Sequence, residues 1–232
     1  MDAIILAGGK GTRMDNIEPK PLVMIGDKPL IQHQIDYLLG KVDRIIVSTG
    51  YMAERVEKFV KELYPRFSDG KYCKSDIYFS RENEPLGTAG GLKKALNMTV
   101  RNEVLAFNCD DITDIPISKL EEITENTLCI VNPTLPFGKV VFDKYEYVTN
   151  FNEKEKMNDF WVSCGWYKFM VNSQFYNGLP NKGMLETDVF PKMAENRKLK
   201  AYLHTGFWKP INSRKDIDEF NILSRSYQAA SQ

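Results

Sequence analysis

A glycine-rich loop and two cations near the amino end have the residue types and spacing to bind a polyphosphate. The loop over residues 8–11 follows a short apolar run over residues 3–7, and Arg13 and Lys20 come soon after it. Glycine lets a backbone approach a ligand closely, so a strand ending in such a loop turns its amides toward phosphate oxygens. Because the two cations would neutralise several phosphate charges, the stretch predicts a polyanion site.

The spacing excludes two common glycine-loop motifs. A Walker loop continues from Gly-Lys into serine or threonine, whereas glycine follows Lys10 here. A dinucleotide fingerprint counted from Gly9 and Gly11 requires glycine or alanine where Met14 stands, and no clear acidic ribose partner follows at the expected distance. The loop therefore belongs to another class of phosphate-binding motif.

The loop and the Pro-Lys-Pro that follows it together resemble the signature of the sugar-1-phosphate nucleotidyltransferases, or NDP-sugar pyrophosphorylases. That family carries Leu-Ala-Gly-Gly-x-Gly-Thr-Arg and then Pro-Lys-Pro, which stand here in register at residues 6–13 and 19–21. The resemblance implies that a nucleoside triphosphate and a sugar-1-phosphate react to give an NDP-sugar and pyrophosphate, with Mg²⁺ as cofactor. By the same resemblance, Arg13 holds the β- and γ-phosphates and Lys20 holds the α-phosphate.

A second glycine-rich loop, residues 82–91, follows the third predicted strand and runs into a helix. From the residues alone, a nucleotide-binding loop and an ordinary glycine-rich helix start are equally good interpretations. Its Glu-Pro-Leu-Gly-Thr-Ala-Gly is similar to the base- and ribose-binding loop of the family. The nucleotide-binding residues implied by the resemblance are Leu6, Ala7, Gly8, Gly9, Gly11, Thr12, Glu82, Pro85, Gly87 and Thr88.

Two aspartates, Asp110 and Asp111, stand just past the fourth predicted strand. A carboxylate there would meet the phosphates gathered by the first loop and would need a cation between them, for which Mg²⁺ is the natural candidate. The family's Asn/Asp-x-Asp pattern matches Asp110, and Asp111 is the alternative ligand.

The closing segment His204–Ser213 resembles the family's Trp-x-Asp-Ile-Gly-Thr, whose aspartate is a second metal ligand, but Pro210 stands at that position. The sequence of this segment is closer to the Gly-Phe-Trp-x-Pro-Met-Asp-Thr motif of glucose-1-phosphate cytidylyltransferases. The aspartate of that motif aligns with Asn212. The second ligand is therefore expected to be Asn212 or Asp111.

The acceptor residues are assigned by further family motifs. Phe137-Gly138 and Phe151-Asn152-Glu153-Lys154 resemble Tyr/Phe-Gly and Phe-x-Glu-Lys, in which glycine and glutamate contact the sugar and lysine contacts its phosphate. Ser163-Cys164-Gly165 stands where relatives carry Asn-x-Gly. The implied substrate-binding residues are Gly138, Glu153, Lys154, Gly165 and Glu186.

The composition fits an enzyme with a local charged site. The chain has 232 residues, 43% of them hydrophobic, and 31 basic against 31 acidic residues, which argues against a general nucleic-acid or membrane binder. Four scattered cysteines without a CxxC pair predict reduced thiols and a cytoplasmic location. A homo-oligomer is compatible with this composition, although the sequence does not determine the oligomeric state.

Apolar patterning predicts an α/β chain with alternating strands and helices up to residue 108. We expect a Rossmann-like, mostly parallel central sheet with helices on both faces and its ligand at the carboxyl ends of the strands. From residue 127, strands at 128–131, 139–142 and 147–151 are spaced like those of a meander, and 161–170 is predicted as a further strand. This half is expected to form an antiparallel or mixed part of the sheet, a smaller sugar-binding part and a lid over the site. Residues 1–232 are expected to form one domain, with a nucleotide-binding half (1–125) and a sugar-phosphate-binding half with a terminal helix (126–232). A helix kinked at Pro191 is predicted over residues 186–195, and a terminal helix with Ser213 as its cap is predicted over residues 213–223. No left-handed β-helix is expected.

The nucleotide base and the catalytic status remain open at this stage. Glu82 has the acceptors to pair with two adjacent donors of guanine, and its loop is most similar to mannose-1-phosphate guanylyltransferases, which favours GTP. The cytidylyltransferase-like closing segment favours CTP, and UTP or dTTP is a further alternative. The acceptor is expected to be a mannose- or heptose-type sugar-1-phosphate, and a small non-sugar phosphate is the alternative. Because Pro210 and Asn212 replace the usual residues, a nucleotide-binding regulatory subunit is the competing hypothesis.

Overall fold

The structure, a computed structural model, describes residues 1–11, 18–65 and 76–230. The described strands are β1 Asp2–Ala7, β2 Met24–Ile25, β3 Lys28–Pro29, β4 Arg44–Thr49, β5 Asp76–Arg81, β6 Glu103–Asn108, β7 Asp111–Thr113, β8 Thr127–Val131, β9 Lys139–Phe142, β10 Val148–Asn152, β11 Val162–Met170, β12 Lys200–His204 and β13 Trp208–Pro210. The described helices are α1 Leu30–Leu38, α2 Ala53–Leu63, α3 Gly87–Leu96, α4 Ile117–Glu121, α5 Ser173–Gly178, α6 Phe190–Glu195 and α7 Arg214–Ala230. A 3₁₀ turn covers Lys20–Leu22 and a π-helical turn covers Leu185–Val189.

Seven strands form the central sheet, in the order β12-β8-β11-β6-β1-β4-β5. The pairs β6/β1, β1/β4, β4/β5 and β8/β12 are parallel, and β11 is antiparallel to both of its neighbours. The mostly parallel sheet confirms the predicted fold class. Strands of both predicted halves share this sheet, since β8, β11 and β12 follow residue 125.

Both faces of the sheet are covered, which explains why central strands such as β1 and β6 are apolar along most of their length. In β1, Ala3 and Ile5 belong to one core cluster and Ile4 to the other, as the alternation of side chains in a strand requires. α1 and α4 supply residues to the first cluster, and α3 and α6 to the second. The helices thus lie on both faces, as predicted.

After residue 127 the expected mixed part of the sheet forms, but the meander spacing is wrong about how the strands pair. β8 pairs with β11 and β12 in the central sheet, whereas β9 and β10 form a separate two-stranded hairpin. The side chains explain the separation: β8 alternates buried positions at Thr127, Cys129 and Val131, while no residue of β9 or β10 is buried. The β9–β10 hairpin therefore lacks the buried face that would hold it in the central sheet.

The carboxyl-terminal helices form where the sequence predicts them, with local differences. The helix expected over 186–195 begins as the π-helical turn and becomes α-helical at Phe190, so Pro191 falls in its first turn, where a missing N–H is tolerated. Ser213 precedes α7 as predicted, and Asp216 Oδ2 accepts bonds from the Ser213 backbone N (2.9 Å) and Oγ (2.8 Å). This reciprocal capping starts the terminal helix.

Candidate active site

The predicted nucleotide-binding loops meet at the carboxyl ends of β1, β5 and β6. After β1 the chain passes to β4 and β5 on one side of β1 and then to β6 on its other side, so the order reverses between β1 and β6. A parallel sheet opens a crevice at such a reversal, beyond the strand ends. The loop after β1 and the Asn108–Asp110 segment border that crevice.

A cleft of about 490 Å³ occupies this position. It brings together most of the residues predicted to bind nucleotide, together with one residue predicted to bind the acceptor, Glu186. Its lining comprises Leu6, Ala7, Gly8, Gly9, Gly11, Lys20, Pro21, Glu82, Pro85, Gly87, Thr88, Asn108, Cys109, Asp110, Met184 and Glu186. Two predicted residues, Thr12 and Arg13, lie outside the described part of the chain.

Gly11 allows the first loop to pack against Lys20. Its φ is +63°, and a Cβ added to it would lie 2.9 Å from Lys20 Cβ. Any larger residue would be strained by this φ and would also press on the lysine stem. Lys20 itself begins the 3₁₀ turn, in which the Leu22 N–H donates to the Pro19 carbonyl (2.8 Å). The loop and the turn therefore fix the position of the lysine.

The ammonium of Lys20 joins the two predicted metal ligands. It forms an ion pair with Asp110 Oδ2 and donates to Asn212 Oδ1 at 3.2 Å. The backbone N–H of Ile211 donates to the Asp110 carbonyl (2.9 Å), which ties the closing segment to the end of β6. A carboxylate oxygen and an amide oxygen thus converge on one cation.

Asp111, the alternative metal ligand, is engaged elsewhere and does not line the cleft. Its Oδ1 accepts from Trp208 Nε1 (3.0 Å) and its Oδ2 from Asn108 Nδ2 (3.3 Å). Burial, followed by the negative charge of Asp110, raises the pKa of Asp111 to about 7. Of the two candidates for second ligand, the structure therefore favours Asn212.

Gly165 lies against Asp111 instead of lining the cleft. With φ at +74°, a Cβ added to Gly165 would overlap Asp111 Oδ2. This glycine leaves room for the buried carboxylate, which differs from the sugar contact implied by the family motif. Its expected role in binding the acceptor stays a prediction.

The carboxylate of Glu82 is held between the two glycine loops. One oxygen accepts from Ser48 Oγ (3.1 Å) and the other from the Leu86 backbone N–H (3.0 Å). A Cβ on Gly8 would lie 2.6 Å from Glu82 Oε1, so only glycine admits this contact without a shift. Each oxygen keeps a further lone pair for a ligand.

Glu186 connects the second loop with the carboxyl-terminal half. Its Oε2 accepts from Thr88 Oγ1 (2.8 Å), which in turn accepts from the Leu185 N–H (2.8 Å). Tyr167 donates to the other oxygen at 3.4 Å. The wall beside Thr88 therefore comes from both halves of the chain.

The remaining predicted acceptor residues lie on the β9–β10 hairpin and its flanks, outside the lining of the cleft. Gly138 packs beneath the Phe151 ring, Glu153 is exposed, and Lys154 Nζ lies 3.2 Å from Glu219 Oε1 on α7. The structure thus does not bring these three residues together with the nucleotide-binding group.

Asn108, Pro21, Cys109 and Met184 line the cleft although the sequence did not single them out. Asn108 is the first residue of the Asn-x-Asp pattern from which Asp110 was predicted. That position in the motif was a signal that Asn108 lines the cleft. Burial raises the pKa of the Cys109 thiol, which therefore stays protonated and is a poor nucleophile.

Comparisons with known proteins identify the family of this chain. The model of the nucleotidyl transferase family matches residues 2–221. The chain belongs to that family. This confirms the predicted family membership. Within the residues that the structure describes, no helix is both long and apolar enough to cross a membrane.

Two curated relatives of this nucleotidyl transferase are guanylyltransferases by name. The mannose-1-phosphate guanylyltransferase catalytic subunit beta of Drosophila melanogaster is 32% identical over 230 residues, which cover 93% of this chain and 60% of the relative. The D-glycero-alpha-D-manno-heptose 1-phosphate guanylyltransferase of Campylobacter jejuni is 31% identical over 210 residues, which cover 87% of this chain and 89% of the relative. The chain spans about three-fifths of the Drosophila relative's length.

A solved structure shows the same fold along almost the whole chain. HddC from Yersinia pseudotuberculosis, complexed with GMP-PN, has a TM-score of 0.69 and 25% sequence identity. The match covers 95% of this chain and 98% of that one. A structural relative of this nucleotidyl transferase has therefore been crystallised with a guanine nucleotide analogue.

Proposed function

We propose that this chain transfers a guanylyl group from GTP to a mannose- or heptose-type sugar-1-phosphate, giving a GDP-sugar and pyrophosphate. The observation that carries the proposal is the convergence of Lys20, Asp110 and Asn212 beside the glycine loop. The two guanylyltransferase relatives and the guanine-nucleotide complex support the choice of base and acceptor.

The reaction joins two anions, so positioning and charge neutralisation dominate the catalysis. An oxygen of the sugar-1-phosphate attacks the α-phosphorus of GTP, and pyrophosphate leaves. When GTP binds, the ammonium of Lys20 exchanges its ion pair with Asp110 for one with the α-phosphate. Arg13 binds the β- and γ-phosphates. No general base is required, because a phosphate monoester is largely ionised at neutral pH.

The donor atoms at the end of β6 fit Mg²⁺. Asp110 and Asn212 supply hard oxygens that already converge on one cation, and Mg²⁺ binds proteins through one or two carboxylates plus substrate phosphates. When bound there, the metal would neutralise phosphate charge. Since Asn212 carries no charge, Asp110 supplies the anionic ligand.

Each of the two predicted halves binds a different substrate. Residues 1–125 supply most of the cleft lining and bind the nucleotide. Residues 126–232 bind the acceptor, with Glu153 at the sugar and Lys154 at its phosphate. The single-domain organisation, a homo-oligomer and a cytoplasmic location stay predictions.

CTP is the second candidate donor, because the closing segment places Asn212 where cytidylyltransferases carry aspartate. The test is pyrophosphate release with GTP, CTP, UTP and dTTP, each paired with mannose-1-phosphate or a heptose-1-phosphate in Mg²⁺. We expect GTP to give the highest kcat/KM. A clear preference for CTP would overturn the choice of base, and triphosphate binding without release in any pair would identify a regulatory subunit.

A further inference from the structure

A second cavity, of about 650 Å³, lies between the flanks of the β9–β10 hairpin, β13 and the start of α7. It borders the closing segment, whose Asn212 contacts Lys20 in the nucleotide cleft. Charged side chains in its walls are mostly basic: Lys154, Lys156, Lys209 and Lys215 against Asp216 and Glu219. The cavity therefore has a positive excess next to the proposed site of reaction.

One carboxylate bridges two of these lysines. Glu219 Oε2 lies 2.6 Å from Lys209 Nζ, and Glu219 Oε1 lies 3.2 Å from Lys154 Nζ. Each carboxylate oxygen thus meets a different ammonium group, as two oxygens of a phosphate group would. Asp216 is not equivalent, because it accepts from the backbone N–H groups of Asn212 (3.0 Å) and Ser213 (2.9 Å) at the start of α7.

The backbone at Lys154, in the turn that follows β10, is held in an uncommon conformation. Its φ of +53° lies in the left-handed region, which glycine or asparagine would adopt at lower cost. Strain of this kind concentrates at functional sites, where the surrounding structure maintains it. Lys209 is also well placed, because its side chain is only 17% exposed and two carboxylates hold it.

Lys209 has no part in the nucleotide cleft and is assigned no role by the family motifs above. We propose that Lys209 is a second cation for the acceptor's phosphate, beside Lys154, and that Glu219 takes the phosphate's place while no acceptor is bound. The inference rests on the proposed function and names a specificity residue and an internal competitor for its acceptor site.

The charge of Glu219 fits the role of competitor. Hydrogen bonds from Lys209 and Lys154 lower the pKa of Glu219 to about 2, so this side chain is a carboxylate at any working pH. A phosphate dianion carries more charge than a carboxylate, and it would displace Glu219 from both ammonium groups.

The test compares Lys209→Gln with Glu219→Gln in steady-state assays that vary each substrate separately. We expect Lys209→Gln to raise the KM of the sugar-1-phosphate about tenfold or more and to leave the KM of GTP unchanged. Lys209→Arg should restore most of the loss. Glu219→Gln should lower the KM of the sugar-1-phosphate, because the competitor is gone. Lys200→Gln is the control, since Lys200 is exposed and its ammonium pairs with Glu125 at the surface.

The alternative is that the ion pairs of Glu219 with Lys154 and Lys209 only stabilise the packing of the hairpin on α7. Both variants would then unfold more easily and raise the KM of the sugar-1-phosphate, and this result would overturn the inference. Thermal unfolding of each variant shows whether folding is affected.

The failure of the proposed function is distinguishable from this outcome. If the wild-type protein releases no pyrophosphate from any substrate pair, the proposed function fails. Calorimetry with inorganic phosphate then tests the inference alone. Binding that Lys209→Gln weakens and Glu219→Gln strengthens supports the inference, and equal binding by all three proteins contradicts it.

Discussion

The nucleotide cleft and the proposed acceptor region are built in different ways. The cleft forms at the ends of strands whose central residues, such as Ile4 and Ile46, are fully buried. The β9–β10 hairpin carries Phe142 and Phe151 with about two-thirds of their surface exposed. The sheet core therefore holds the proposed nucleotide site, whereas turns and ion pairs position the residues proposed to bind the acceptor.

The largest contrast should be in folding stability. Phe107 is fully buried and stacks on Trp166, with ring centroids 4.0 Å apart. We expect Phe107→Ala to lower the free energy of unfolding by about 3–5 kcal/mol. Phe142→Ala should change it by less than about 0.5 kcal/mol, because the ring is already exposed. Urea unfolding measures both, and equal losses would contradict the contrast.

The next largest effect should be the loss of turnover when Lys20 is removed. Lys20→Ala removes the ammonium group expected at the α-phosphate, so kcat should fall about a hundredfold or more. Lys119→Ala is the control, because Lys119 is exposed and pairs with Glu122 three residues away. Pyrophosphate release with saturating GTP checks both variants. Near-normal turnover of Lys20→Ala would remove the mechanism.

Alanine substitutions at two glycines with similar φ distinguish the cost of backbone strain from the cost of close packing. Gly87 and Gly26 have φ of +75° and +63°. A Cβ added to Gly87 would overlap the Gly183 carbonyl oxygen, whereas a Cβ added to Gly26 would lie within 4 Å of no atom among the residues that the structure describes. We expect Gly26→Ala to destabilise the protein by about 1 kcal/mol and Gly87→Ala by about 2–3 kcal/mol. Chemical denaturation tests this, and equal effects would show that the second loop is not closely packed.

The smallest expected effect is on the pH dependence of folding stability, to which two ion pairs contribute. Hydrogen bonding from Arg81 lowers the pKa of the buried Glu57, so its carboxylate stabilises the fold above its ordinary pKa of 4.5. That contribution is lost as the pH falls through the lowered folded-state pKa. Glu57→Gln should cost about 1–2 kcal/mol at pH 7 and flatten the loss of stability below pH 4.5.

The matched change in the acceptor region is Glu155→Gln. Lys139 lowers the pKa of Glu155 in the same direction, but both side chains are substantially exposed. Solvent screens such a pair, so the effect should be smaller than at Glu57. Urea unfolding across pH measures both variants, and an equal or larger effect at Glu155 would contradict the comparison.

The sequence predicted the nucleotide half well, because each of its signals is local. Short apolar runs identified β1, β4 and β6, and parallel strands necessarily carry their following loops to one edge. That geometry places Gly8, Glu82 and Asp110 in one cleft. The pattern of residues therefore determines both the elements and their meeting point.

The acceptor half was harder to predict because its contacts join distant segments. The partner of Lys154 is Glu219, 65 residues away, and an exposed charge run gives no sign of such a pairing. The burial of Asp111 depends on Trp208 and Gly165, which lie on other strands. Periodicity predicts that β8 and β9 are strands but does not determine their partners.

The separation of the two substrates between the two halves is tested most directly by the KM values of Gly9→Ala and Lys154→Gln. Gly9 lines the cleft, and a Cβ added to it would lie within 4 Å of no atom in the described residues 1–11, 18–65 and 76–230. The fold should therefore accept the methyl group, whereas bound nucleotide should meet it. We predict that Gly9→Ala raises the KM of GTP alone and Lys154→Gln raises the KM of the sugar-1-phosphate alone. A change in the same KM for both variants, or in both KM values for each, would contradict the account.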